Sequence, residues 1–171
     1  MGLFKNLFGS KKPNELEIIE KSIEFLRLGI FSYLYNNKYI AKYGEREATF
    51  WAAAVMNTLI MEDATNDDGK QFYCKYKDEI LEEAQLVHKD LELSSAASYL
   101  YAAQTIYIAV ITKDPFSKRA QEIGEQATHL GIYIPNTYDI CGSNDMTQVV
   151  YRIAEFSKEF LEKHSGKKGQ I

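Results

Sequence analysis

The 171-residue chain is 46% apolar and 26% charged, the proportions of a globular domain with a sizeable core. Its net charge of −4 hides an asymmetry: residues 13–164 hold all 24 acidic side chains against fifteen basic ones, a net of −9, while the two ends hold the other five lysines. An acidic body excludes wrapping nucleic acid, which needs a basic footprint, although the basic ends could touch an anionic surface.

The chain opens "MGLFKNLFGSKKPNE". Leu3, Phe4, Leu7 and Phe8 share one side of a helical turn and are followed by Lys11 and Lys12. The apolar run is too short, and too broken by Lys5 and Asn6, to be a secretory signal. Gly2 is followed by Asn6 where myristoylation wants serine or threonine. Gly9, Ser10 and Pro13 break any helix before Leu16. Residues 1–12 are therefore read as a separable amphipathic arm, able to meet a membrane surface, a partner or the chain's own body. Residues 165–171 are read as a basic flexible tail.

Six helical segments follow. In the first, about 14–36, Leu16, Ile19, Ile23, Leu26, Ile30 and Tyr33 recur three or four apart. Its uncharged second half, "LGIFSYLYNN", predicts burial on most sides. The second, about 46–64, carries the uncharged "ATFWAAAVMNTLIM", whose three alanines invite close approach of a neighbour. The third, about 70–91, sets Phe72, Tyr76, Ile80, Ala84, Val87 and Leu91 on one face. The fourth, about 94–112, opens at a serine cap inside twenty uncharged residues, Leu93 to Thr112. Its serines, threonines, Gln104 and mid-segment tyrosines make it too polar for a membrane span. The fifth opens at "DPFSK" with an aspartate cap, buries Phe116, Ala120, Ile123, Ala127 and Leu130, and closes at Gly131. After the irregular "IYIPNTYDICGSN" comes the sixth, about 145–164, with Val149, Ile153, Phe156 and Phe160 inward.

The pattern predicts an all-α, single-domain bundle over residues 13–164, with the second and fourth segments central. The alternative is a tetratricopeptide-like array of helical hairpins, since "IGEQATHLGIY" has part of that repeat's rhythm. Its partner helix would contain Pro135, and the other helices are too long for the repeat.

Chemistry-bearing motifs are sparse. "ATNDDGKQFYCK" resembles a calcium loop, but Ala64 and Lys75 stand where ligands are required. Glu122, Glu125 and His129 share a helix side without the Glu-x-x-His spacing or the second copy of a di-iron bundle. Cys141 precedes a helix, a favourable place for a thiolate, yet the sequence puts no base beside it. Cys74 and Cys141 are read as free thiols in a reducing cytoplasm. No catalytic residue, metal or cofactor is assigned.

The ligand-pocket candidates are Asn57, in the uncharged second segment, and Tyr101, Gln104 and Thr105 on the polar face of the fourth. They either satisfy one another across a helix pair or line a polar pocket between those helices. The expected function is that of a non-enzymatic, cytoplasmic protein-binding module, an adaptor, immunity-type or regulatory protein. Two alternatives stand: a peripheral protein held at the inner face of the membrane by its arm, and a small-molecule-binding protein or enzyme using the polar pocket.

Overall fold

A computed structural model describes residues 14–166, so the arm Leu3, Phe4, Leu7 and Phe8 and most of the basic tail lie outside the described residues. Helices account for nearly all secondary structure, and no strand occurs among the described residues. Helix α1, Glu15–Leu34, is capped by the Asn14 side chain, which accepts from the Glu17 N–H at 2.8 Å. It continues through a π-turn, Tyr35–Tyr39, into α2, Ile40–Tyr43. The extra residue of that turn rotates Tyr39 into the core. Helix α3, Glu45–Ile60, ends at Met61 in the left-handed conformation. Next come α4, Asp67–Lys75, α5, Lys77–Leu86, and the long α6, Leu91–Thr112. Helices α7, Lys118–Leu130, α8, Thr137–Cys141, and α9, Met146–His164, complete the bundle.

The uncharged segments enter the core as their composition predicts. Ala48, Trp51, Ala52, Val55, Met56 and Leu59 of α3 are buried, and so are Leu93, Ala96, Ala97, Leu100 and Tyr101 of α6. Helix α1 shares the centre with them, packing against α9, α6 and α3. Small residues let α1 and α9 come close: Gly29, Ser22 and Ser157 are all buried. Each serine donates to its own helix backbone, Ser22 to Ile18 at 2.7 Å and Ser157 to Ala154 at 2.9 Å, so neither of these buried hydroxyls is orphaned.

Four expectations are corrected. The third segment is two helices, because the backbone leaves helical geometry at Tyr76, whose ring lies 5.3 Å from Trp51. A one-residue departure leaves the four-residue apolar rhythm intact, so periodicity alone does not reveal it. Leu91 belongs to α6, which is capped by Asp90 instead of a serine, and stands 85% exposed. Helix α7 starts three residues later than predicted, on Ser117, leaving Phe116 in solvent. The stretch predicted irregular contains α8, held by a reciprocal capping box between Asn136 and Asp139. Uncharged composition also overstates burial at two places: Leu28 of α1 is exposed, and so are Val110 and Ile111 at the end of α6.

Candidate functional site: a groove between α3 and α4

A concavity of about 610 Å³ runs between α3 and α4. Its floor is apolar, built from Phe50, Ala53, Ala54 and Met61. The alanines leave the floor low, while Phe50 stacks on Phe72 with ring centres 5.4 Å apart and closes one end. Beneath that end, Trp51 packs against Tyr43, Phe72 and Tyr76 at 5.2 to 5.3 Å. Aromatic pairs at such distances fix the angle between helices.

The other end is shaped by the turn from α3 to α4. Met61 and Glu62 donate their N–H groups back to Thr58 and Asn57 at 3.3 and 3.0 Å, satisfying carbonyls the ending helix would orphan. Asn66 then caps α4 by accepting from the Gly69 N–H at 2.7 Å. A Cβ on Gly69 would sit 3.0 Å from both the Ala64 Cβ and the Asn66 Oδ1, so any larger residue would push on this cap. The segment with calcium-loop character is thus a capped helix start. Among the described residues, no group of three or more His, Cys, Asp or Glu side chains is arranged to hold a metal ion.

Polar groups sit along the rim. Gln126, from α7, donates to the Thr58 carbonyl at 3.0 Å, and the Thr58 hydroxyl donates to Ala54 at 2.9 Å. Glu62 pairs with Arg27 of α1 at 2.9 Å. The Asn57 carboxamide and the Lys70 ammonium have no partner among the described residues. Cys74 lines the groove as an exposed free thiol.

Of the predicted pocket residues, Asn57 lies in this groove, and Tyr101, Gln104 and Thr105 do not. Tyr101 is fully buried, and its hydroxyl donates to the Leu59 carbonyl, one of those left over at the end of α3. Burial pushes its pKa up. Thr105 donates to the Tyr101 carbonyl at 2.8 Å. The Gln104 Oε1 is buried without a partner among the described residues. Sequence reasoning missed Gln126, which arrives from a distant helix, and Ala53, whose smallness makes the floor. The signal for the floor was present in the consecutive alanines.

The remaining motif residues are dispersed. Glu122 pairs with Arg119 at 3.4 Å on the surface of α7, and His129 is exposed. Cys141 is half-buried, its thiol 3.4 Å from the Thr137 and Ser143 carbonyls. His164 belongs to a second polar cluster that joins the ends of α1, α6 and α9. There Tyr33 donates to Asp90 at 2.7 Å, and Lys163 donates to Glu92 at 3.0 Å. The His164 Nε2 lies 2.8 Å from Glu92 Oε2, off the alignment of a hydrogen bond. Burial pushes the His164 pKa down, and Glu92 offsets only part of that. Burial alone would raise Asp90, but the Tyr33 hydroxyl, the Leu93 N–H and Lys38 hold it below the usual carboxylate range.

Compared with protein-family models, curated proteins and solved structures, the chain has no match.

Proposed function

We propose that this protein is a non-enzymatic binding module whose α3–α4 groove receives a short extended segment of a protein partner. The observation that carries the reading is the unpartnered Asn57 carboxamide in a groove with an apolar floor. A carboxamide offers an acceptor and two donors, the complement of a peptide unit's N–H and C=O. The alanine floor leaves room for the segment's side chains, and burying them supplies most of the affinity. The body's net charge of −9 over residues 13–164 favours approach of a basic partner. The setting proposed is the cytoplasm. Binding is favoured over catalysis because the groove's thiol, Cys74, has no base hydrogen-bonded to it among the described residues.

A displayed-peptide library screened on the full chain tests this. Peptides selected by the wild type should bind Asn57→Ala roughly 5- to 150-fold more weakly, the equivalent of about 1–3 kcal/mol for an unmet peptide hydrogen bond. Ala53→Phe, which fills the groove, should abolish binding, and bound peptide should slow alkylation of Cys74. Selected peptides that bind both variants as well as the wild type would refute the groove. A library that yields nothing, with a metabolite co-purifying in stoichiometric amount, would favour a small-molecule site.

A further inference from the structure

The α3–α4 groove has two unlike ends. At one, Phe50 stacks on Phe72, and Tyr73 lines the groove with its ring 39% exposed. The charged residues of the lining, Glu62, Asp63 and Lys70, lie toward the other end, at the α3–α4 turn. Glu62 is held by Arg27 at 2.9 Å. Asp63 follows it, and Asp67 and Asp68 open α4. Asp67 stands two turns before Cys74, a groove residue, and so on the same side of that helix. All three aspartates are exposed, and none is in an ion pair among the described residues. With Arg27 and Lys70 set against the four acids, the turn keeps a net charge of −2.

The helix that follows deepens the imbalance. Asp78, Glu79 and Glu82 of α5 are exposed and in no ion pair among the described residues. Residues 62–83 thus hold eight acids against three lysines, a net of −5 out of the body's −9. The charge that draws a basic partner is concentrated beside one end of the groove. The groove also sets a spacing. From Ala53 to Met61 the floor runs about 12 Å along α3, at 1.5 Å per residue. An extended chain covers that distance in roughly four residues, at about 3.3 Å each.

We propose that the segment received by this groove pairs a large apolar side chain with a lysine or arginine about four residues away. The apolar side chain enters between Phe50, Ala53 and Tyr73, and the cation meets Asp63 and Asp67 at the turn. This rests on the groove's being a peptide site and adds the partner's chemistry and register. Like charge disfavours a second copy of the chain as occupant, since apposing two such faces sets acid against acid. It disfavours nucleic acid for the same reason.

The test is a displayed library of random peptides selected on the full chain, followed by titration of the strongest binder as a synthetic peptide. Selected sequences should share the apolar–basic spacing. Replacing the peptide's base by alanine should weaken binding roughly two- to tenfold at low salt, and by less as salt is raised. That change leaves the protein untouched, so no folding defect can imitate it. In the protein, Asp63→Lys with Asp67→Lys should weaken binding roughly tenfold or more, and in that background the peptide's base should confer no advantage. Glu17→Lys with Glu20→Lys, an equal change of net charge at exposed positions of α1, should weaken it less than about twofold. Circular dichroism checks that both variants fold. Selected peptides that depend on Asn57 but carry no base at a fixed spacing overturn the proposal and leave the peptide site standing. Peptides indifferent to Asn57→Ala and Ala53→Phe overturn both. Self-association in sedimentation that Ala53→Phe abolishes assigns the groove to a second copy and overturns the proposal as well.

Discussion

Two glycines in helices offer a pair of substitutions with opposite expected signs. Gly29 of α1 faces α9, where an added Cβ would lie 2.6 Å from Phe160 Cδ1, 3.1 Å from Cε1 and 3.4 Å from the Leu161 Cα. Carbon atoms settle about 3.5–4.0 Å apart, so the ring must move. It is poorly placed to do so. Phe160 is 7% exposed, with Tyr33 and Phe156 stacked at 6.2 and 6.0 Å and His164 at 4.6 Å. Alanine in a helix gains about 0.5–1 kcal/mol over glycine, whereas overpacking a core costs about 1–3 kcal/mol. Gly29→Ala should therefore destabilise by roughly 0.5–2 kcal/mol, lowering Tm by about 1–8 °C for a chain of this size. Gly124, inside α7, has nothing within 4 Å of its would-be Cβ. Gly124→Ala keeps the helical gain of about 0.5–1 kcal/mol, raising Tm by about 1–4 °C. Urea and thermal unfolding followed by far-ultraviolet circular dichroism measure both. Phe160→Leu in each background isolates the clash, since the coupling should exist with Gly29→Ala and vanish with Gly124→Ala. If Gly29→Ala stabilises as much as Gly124→Ala, the close α1–α9 approach is wrong.

Trp51→Ala should cost about 3–5 kcal/mol, because the ring is 5% exposed and anchors three helical segments; a urea midpoint near the wild-type value would remove α3 from the core. Tyr101→Phe should cost about 1–3 kcal/mol by orphaning the buried Leu59 carbonyl, and a neutral result would mean water or another donor replaces the hydroxyl. The pKa of His164 is lower in the fold than in the unfolded chain, so the fold favours the neutral ring. Its contribution is complete above about pH 6.5 and is lost as pH falls through the lowered folded value. Urea midpoints should fall between about pH 7 and pH 5, and His164→Gln should flatten that slope. A second loss, from Asp90 and Glu92, whose pKa values are held down, should follow only below the ordinary carboxylate range.

Helix existence was legible because it is written in local periodicity. Val149, Ile153 and Phe160 of α9 recur at helical spacing and are buried together. Boundaries were less legible because competing caps are locally equivalent. Asp114 and Ser117 are both good caps, and the choice fell to Ser117, leaving Asp114 to brace the turn. Absence of charge predicts desolvation only on average. The first half of α6 is largely buried, while Val110 and Ile111 in its last turns are half exposed. No local feature of "YIAVIT" distinguishes the two cases, since where α1 and α9 stop is a property of the assembled bundle.

The candidate polar residues divide by chemistry in a way the sequence could have announced. A hydroxyl in a helix reaches the carbonyl four residues back and satisfies itself there. Ser22, Thr49, Thr58, Ser95, Thr105, Thr112 and Thr128 all do so, at 2.6 to 3.0 Å. A primary amide has two donors and an acceptor, and one backbone carbonyl cannot complete it. It must reach a helix end, as Gln126 does at Thr58 and Gln121 at Phe116, or it stays unsatisfied. Asn57 and Gln104, the amides in the uncharged stretches of α3 and α6, are left with unmet capacity. Within an uncharged helix, then, serine and threonine carry little information about a binding site, and asparagine and glutamine carry much more. Asn57, whose amide faces a groove open to a partner, carries the most.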